Sequence, residues 1–148
     1  MNKLFLALGF GILVFAACNT TPALPTYKAS LNGANEKPTA VTTTGTGTAS
    51  ATLDGATLSV KIDYSGLSGT PTLAHIHGPA DETATAGVIC NFTDKIVAGT
   101  AAGTGTVSAT CQISATFTVA DLDAGKMYVN LHTTANGGGE VRGQLKKQ

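Results

Sequence analysis

The sequence predicts an all-β fold, an antiparallel Greek-key-like β-sandwich or barrel of about eight short strands. Three observations lead there. Apolar and polar residues alternate over short windows, most cleanly in Thr57–Tyr64. There Leu58, Val60, Ile62 and Tyr64 share one face, and Ser59, Lys61 and Asp63 share the other. Turn signals rich in glycine and asparagine separate these windows. Beyond the first residues, no stretch keeps a helical period over a useful length.

The elements follow in order. Ala29-Ser30-Leu31 begins a strand, and Asn32-Gly33 ends it. Gly45 to Leu53 is a strand of small residues that carries little register information. Asp54-Gly55 is a hairpin signal leading into Thr57–Tyr64. Pro71 to His77 is a further strand, broken by Gly78-Pro79. Strands are expected over 86–92, 105–111 and 113–118. Thr118 to Gly125 is a single helical turn, with Thr118 as its cap and Gly125 at its close. Strands over 126–133 and 140–145 flank the loop Asn136-Gly137-Gly138-Gly139. The abundance of threonine and alanine fits a β surface, because the apolar alternation persists through it.

The chain opens with a different signature. Met1-Asn2-Lys3 is a short positive start, and Leu4 to Ala17 is an uninterrupted apolar run. A membrane-spanning helix needs about 20 such residues, so this shorter run reads as the core of a signal peptide, residues 1–17. Ala16-Ala17-Cys18 at its end resembles a bacterial lipobox, with Phe15 where an aliphatic residue is usual. The resemblance implies cleavage before Cys18 and lipid attachment to it, so that residues 18–26, with Pro22 and Pro25, form a tether. Ordinary secretion with an incidental Cys18 is the alternative. Residues 27–148 are then one domain, long enough for a sizeable core.

Basic and acidic residues are equal at nine each, for a formal net charge of zero. No basic stripe runs along the chain, which argues against nucleic acid as a partner. Lys146 and Lys147 read as a solvated tail. With Cys18 lipidated, Cys90 and Cys111 remain, and an oxidising compartment would join them. A loop of about 20 residues closed this way stabilises by about 3 kcal/mol in the chain-entropy model. Two separate buried thiols, or cysteines serving as metal ligands, are the other readings.

Three segments together resemble one family. They are Leu31-Asn32-Gly33-Ala34-Asn35-Glu36-Lys37-Pro38; Tyr64-Ser65-Gly66-Leu67 followed by Ala74-His75-Ile76-His77-Gly78-Pro79-Ala80; and Tyr128-Val129-Asn130-Leu131-His132-Thr133 leading to Gly138-Gly139-Glu140-Val141-Arg142-Gly143-Gln144-Leu145. This ordered set resembles the CHRD domain, first named from chordin. Asn136-Gly137 stands where that family often has a proline. The resemblance implies an extracellular all-β module, in a family mostly without an assigned activity. Chordin's role as a growth-factor antagonist does not carry over to a bacterial lipoprotein.

The chemistry concentrates in the only three histidines, His75, His77 and His132. His75 and His77 point the same way on a strand, about 6.6 Å apart by rise per residue. Strand alternation places Leu73, His75 and His77 on one side, Tyr128, Asn130 and His132 on one side, and Glu140, Arg142 and Gln144 on one side. All of these are non-core faces, so neighbouring strands would pool them into one polar surface cluster.

The expected cofactor is one copper or zinc ion, held by the three imidazoles with Glu140 or water as a further ligand. Asn130 or Glu140 would orient a ring, and Arg142 would pair with Glu140 or attract an anion. A hydrogen-bonded structural network is the competing reading. The function expected is a cell-envelope binding module anchored to the membrane by its N-terminal lipid, more a binder than an enzyme. The alternatives are a metal-free structural or adhesive domain, and a single-copper redox enzyme resembling superoxide dismutase. The histidines are too few for a two-metal dismutase, and no serine sits in a Gly-x-Ser-x-Gly elbow.

Overall fold

The computed structural model describes residues 22–148; the leader, Cys18 and the start of the tether lie outside them. The described chain forms one ten-stranded antiparallel sheet. The strands are β1 (Thr26–Asn32), β2 (Thr46–Asp54), β3 (Thr57–Ser65), β4 (Leu73–His77), β5 (Val88–Asn91), β6 (Ile96–Ala98), β7 (Gly105–Gln112), β8 (Tyr128–His132), β9 (Val141–Gln144) and β10 (Lys146–Lys147). The order is β5-β4-β8-β9-β1-β2-β3-β7-β6, with β10 also paired to β1.

The sheet curls until its ends meet. Cys90 on β5 is disulfide-bonded to Cys111 on β7, the strand beside the opposite end. A single 3-10 turn, Thr93–Lys95, carries the chain from one edge strand, β5, to the other, β6. The core lies inside the curl. Leu58, Val60, Ile62 and Tyr64 of β3 are buried there, as the alternation predicts, against Leu31, Ile76, Val129, Leu131 and Val141. Ala49 and Ala51 of β2 are the small residues on that inner face.

The single α-helix among the described residues, α1 (Val119–Asp123), forms where expected. The Thr118 side chain accepts from the Asp121 N–H, and Gly125 follows at φ +70. Three expectations change. Residues 113–118 form no strand: the Ser114 hydroxyl takes the N–H groups of Thr116 and Phe117, and an isolated bridge joins Ser114 to Phe117. A hydroxyl that captures nearby backbone donors favours a turn over a ladder. Lys146 and Lys147 are no free tail but β10, in register with Lys28 and Tyr27. The second face of β8 and β9 is not surface: every residue of both strands is buried.

That last difference positions the site. In register, Leu73 faces His132, His75 faces Asn130, and His77 faces Tyr128; Asn130 then faces Arg142, and Tyr128 faces Gln144. Cross-strand partners share a face, so these side chains stand together on the outer side of the curl. Loops roof them. Arg142 donates to the carbonyls of Ala84 and Asp81, each at 2.9 Å, and Gln144 Nε2 donates to Ala80 O at 2.6 Å. Tyr128 exchanges hydrogen bonds with the backbone of Ala86.

Candidate metal centre

His75, His77 and His132 converge under this roof. One ring nitrogen from each lies within 4.8 Å of the other two. The β4–β8 register brings them together, and a bulge between β4 and β5 beyond Ile76 adjusts the edge next to His77. The ring centroids are 5.4 Å apart for His75 and His77, 5.1 Å for His75 and His132, and 6.0 Å for His77 and His132. His75 and His132 are each only 7% exposed, so the cluster is buried rather than displayed.

Two of the rings are oriented by backbone carbonyls. The Nδ1 of His77 lies 3.0 Å from Ala86 O, and that of His132 lies 3.0 Å from Gly137 O. A carbonyl only accepts, so each Nδ1 carries the proton and each Nε2 holds a lone pair. Those two Nε2 atoms and the Nδ1 of His75 are buried without a hydrogen-bond partner among the described residues. Burial lowers the pKa of all three imidazoles. For His75, with the charges of His132 and His77 adding to burial, it falls to about 4. The rings are therefore neutral at physiological pH, the state a metal ligand requires.

The remaining residues expected at the site are placed differently. Glu140 does not reach the imidazole group. Its carboxylate accepts from Thr43 Oγ1 at 2.7 Å, Ser68 N at 2.8 Å, Ser68 Oγ at 2.5 Å and Thr133 Oγ1 at 2.6 Å. Burial pushes this carboxyl up, but the donors together outweigh it and hold the pKa at about 2. Asn130 orients no ring; its Nδ2 donates to both oxygens of Glu36, at 3.1 and 3.0 Å. Arg142 does not pair with Glu140, and among the described residues it makes no ion pair. Its guanidinium carbon instead sits 3.6 Å from the centre of the Tyr128 ring. His77 stacks on that same tyrosine at 4.9 Å.

Sequence reasoning missed Glu36, and it placed Tyr128 on the face of His132 without giving it a role. Glu36 is buried, and burial raises its pKa to about 7 against the pull of Asn130, Arg142 and Lys37. Gly139 makes room for this pair. Its φ is +127, and a Cβ there would come within 2.7 Å of both Asn130 Oδ1 and Glu36 Oε2. The one sequence signal for Glu36 was its place in the recurring segments, since a contact across 94 positions leaves no local pattern.

The family model of the CHRD domain matches residues 27–145. The chain belongs to the CHRD domain family. No curated protein and no solved structure matches it. The match takes in all three histidines, both disulfide cysteines and the Glu36–Asn130 pair. CHRD domains are extracellular, and the Cys90–Cys111 bond fits an exported chain.

Proposed function

We propose that this CHRD protein is an exported binding module, lipid-anchored in the cell envelope through Cys18, that takes one copper or zinc ion on His75, His77 and His132. One observation carries the metal assignment: three buried, partnerless ring nitrogens converge, and two of the rings are already fixed in a ligating tautomer. Zinc–nitrogen bonds of about 2.0–2.1 Å in a tetrahedral site bring nitrogens to about 3.3 Å, so small ring rotations complete the set. Imidazole suits both ions, and intrinsic affinity favours Cu(II) over Zn(II). The donors already saturating Glu140 leave the fourth position to water or to the bound partner. The apolar leader ending at Cys18 supports the anchor.

Elemental analysis after dialysis against copper or zinc tests the site. The expected result is about one equivalent of metal per chain, lost in His132→Ala. Absence of uptake in the wild-type protein, or uptake unchanged in the variant, overturns the assignment. A structural reading draws on the same carbonyl bonds, which tie the Ala86 and Gly137 loops to the strands. It predicts that His77→Ala lowers stability by the same amount with and without metal. Superoxide turnover by the copper-loaded protein would make the module an enzyme. For the anchor, Cys18→Ala should move the protein from the membrane fraction to the soluble one.

A further inference from the structure

A cavity of about 440 Å³ opens beside the roofed strands, where β1, β9 and β10 meet the Asn35–Lys37 and Glu82 loops. Its wall carries Lys28, Lys37, Lys146 and Arg142 against a single carboxylate, Glu82. The pairing of lysines across the molecule singles it out. Among the described residues, Lys61, Lys95, Lys126, Lys146 and Lys147 each hold an acidic partner within ion-pair distance. Lys28 and Lys37 hold none, and both line this cavity.

Arg142 adds a second, independent observation. It is 2% exposed, and its direct partners are carbonyls, the Gln144 amide and the Tyr128 ring; Glu36, Asp81 and Glu82 act on it through space, and no carboxylate among the described residues makes an ion pair with it. A buried cation with no carboxylate in direct contact is only partly compensated, and an anion at the cavity wall would contact it directly. The Gln144 side chain, also buried, completes a polar floor beside it. Lysine and arginine donors converging on one concavity suit an oxyanion, through charge-assisted hydrogen bonds.

We infer that this cavity binds a small ligand bearing an oxyanion (carboxylate, sulfate or phosphate) through Lys28, Lys37 and Arg142. Its volume falls in the range of small-molecule sites and leaves room for the body that carries the anion, such as a sugar. Glu82 acts as a competitor. It lies 2.8 Å from Lys146 and occupies that cation until the ligand displaces it. The site is separate from the imidazole trio, so either assignment can fail without the other.

Calorimetric titration at low ionic strength tests this on the protein purified after expression of the full chain, with sodium sulfate, sodium phosphate and a sulfated disaccharide as probes. Lys28→Ala and Lys37→Ala should each weaken binding by about fivefold or more, and added salt should weaken it further. Lys95→Ala removes the same charge from the turn joining edge strands β5 and β6, far along the sheet from β1 and β9, and should leave affinity unchanged. Glu82→Gln should tighten binding by about twofold or more, because it frees Lys146. Tighter binding of the disaccharide than of sulfate would identify a carried oxyanion, and equal binding a bare one. Absence of saturable binding by any probe, or a Lys95→Ala loss equal to that of Lys28→Ala, overturns the inference.

Discussion

The β2–β3 hairpin and the β8–β9 pair belong to one sheet but treat their outer faces differently. On β3, Leu58, Val60, Ile62 and Tyr64 are buried while Ser59, Lys61, Asp63 and Ser65 are exposed. On β8 and β9 the inner residues are equally buried, but the outer ones, from Tyr128 to Gln144, are buried too. An antiparallel sheet ordinarily leaves one face to water. Where loops cover that face, polar side chains on it must find partners inside the protein or in a ligand. The chemistry of this molecule lies under its roof for that reason.

The comparison can be tested by substitution, with denaturant midpoints as the measurement. The inner faces should behave alike: Ile62→Ala on β3 and Leu131→Ala on β8 should each cost about 2–5 kcal/mol, the largest effects expected. The outer faces should diverge. Arg142→Met strips hydrogen bonds from the Ala84 and Asp81 carbonyls and should cost about 3 kcal/mol. Glu140→Gln weakens a carboxylate held by Thr43, Ser68 and Thr133 and should cost about 2 kcal/mol. Lys61→Ala, in an exposed ion pair with Asp63, should change stability by less than about 0.5 kcal/mol. An Arg142→Met cost as small as that of Lys61→Ala would mean that the roof contributes nothing to folding.

Two buried glutamates sharpen the same contrast through pH. Glu140, with an ordinary value of 4.5 and about 2 when folded, gives stability that is complete above pH 4.5 and lost as pH falls toward 2. Glu36 is opposite. Raised from 4.5 to about 7, its contribution is complete below pH 4.5 and is lost as pH rises through 7. The three histidines, all lowered from 6.5, add a loss of stability as pH falls below that value. Between pH 6.5 and 8 the decline therefore belongs to Glu36, and Glu36→Gln should flatten it. An unchanged slope in that window would show that Glu36 does not titrate there.

The parts of this fold legible in the sequence are those set by local pattern. The alternation of Thr57–Tyr64, the Thr118 cap and the Gly125 close all depend on neighbours a few residues away. The histidine trio was legible because strand period fixes which residues share a face, and the register then brought His132 to that face. What escaped depends on contacts distant in sequence. The roof over β8 and β9 is built by residues 80–86 and 136–139, whose burial of Arg142 has no periodic signature. Glu140 looked like a ligand because it shares a strand period with Arg142, but the hydroxyls of Thr43, Ser68 and Thr133 reached it first. The edge strands β6 and β10 are too short to register as alternation.

The meeting of the sheet's two ends bears on how this domain survives among other proteins. An open sheet offers its outermost backbone donors and acceptors to any passing strand, which is how native domains seed fibres. Here one outermost strand spans only Ile96–Ala98, and the other, Val88–Asn91, carries a bulge and is pinned by Cys90 to the far side. A foreign strand finds little length and little straightness at either end. The same closure that shapes the core thus keeps the chain from recruiting its neighbours, a safeguard suited to a protein exported beyond the reach of intracellular chaperones.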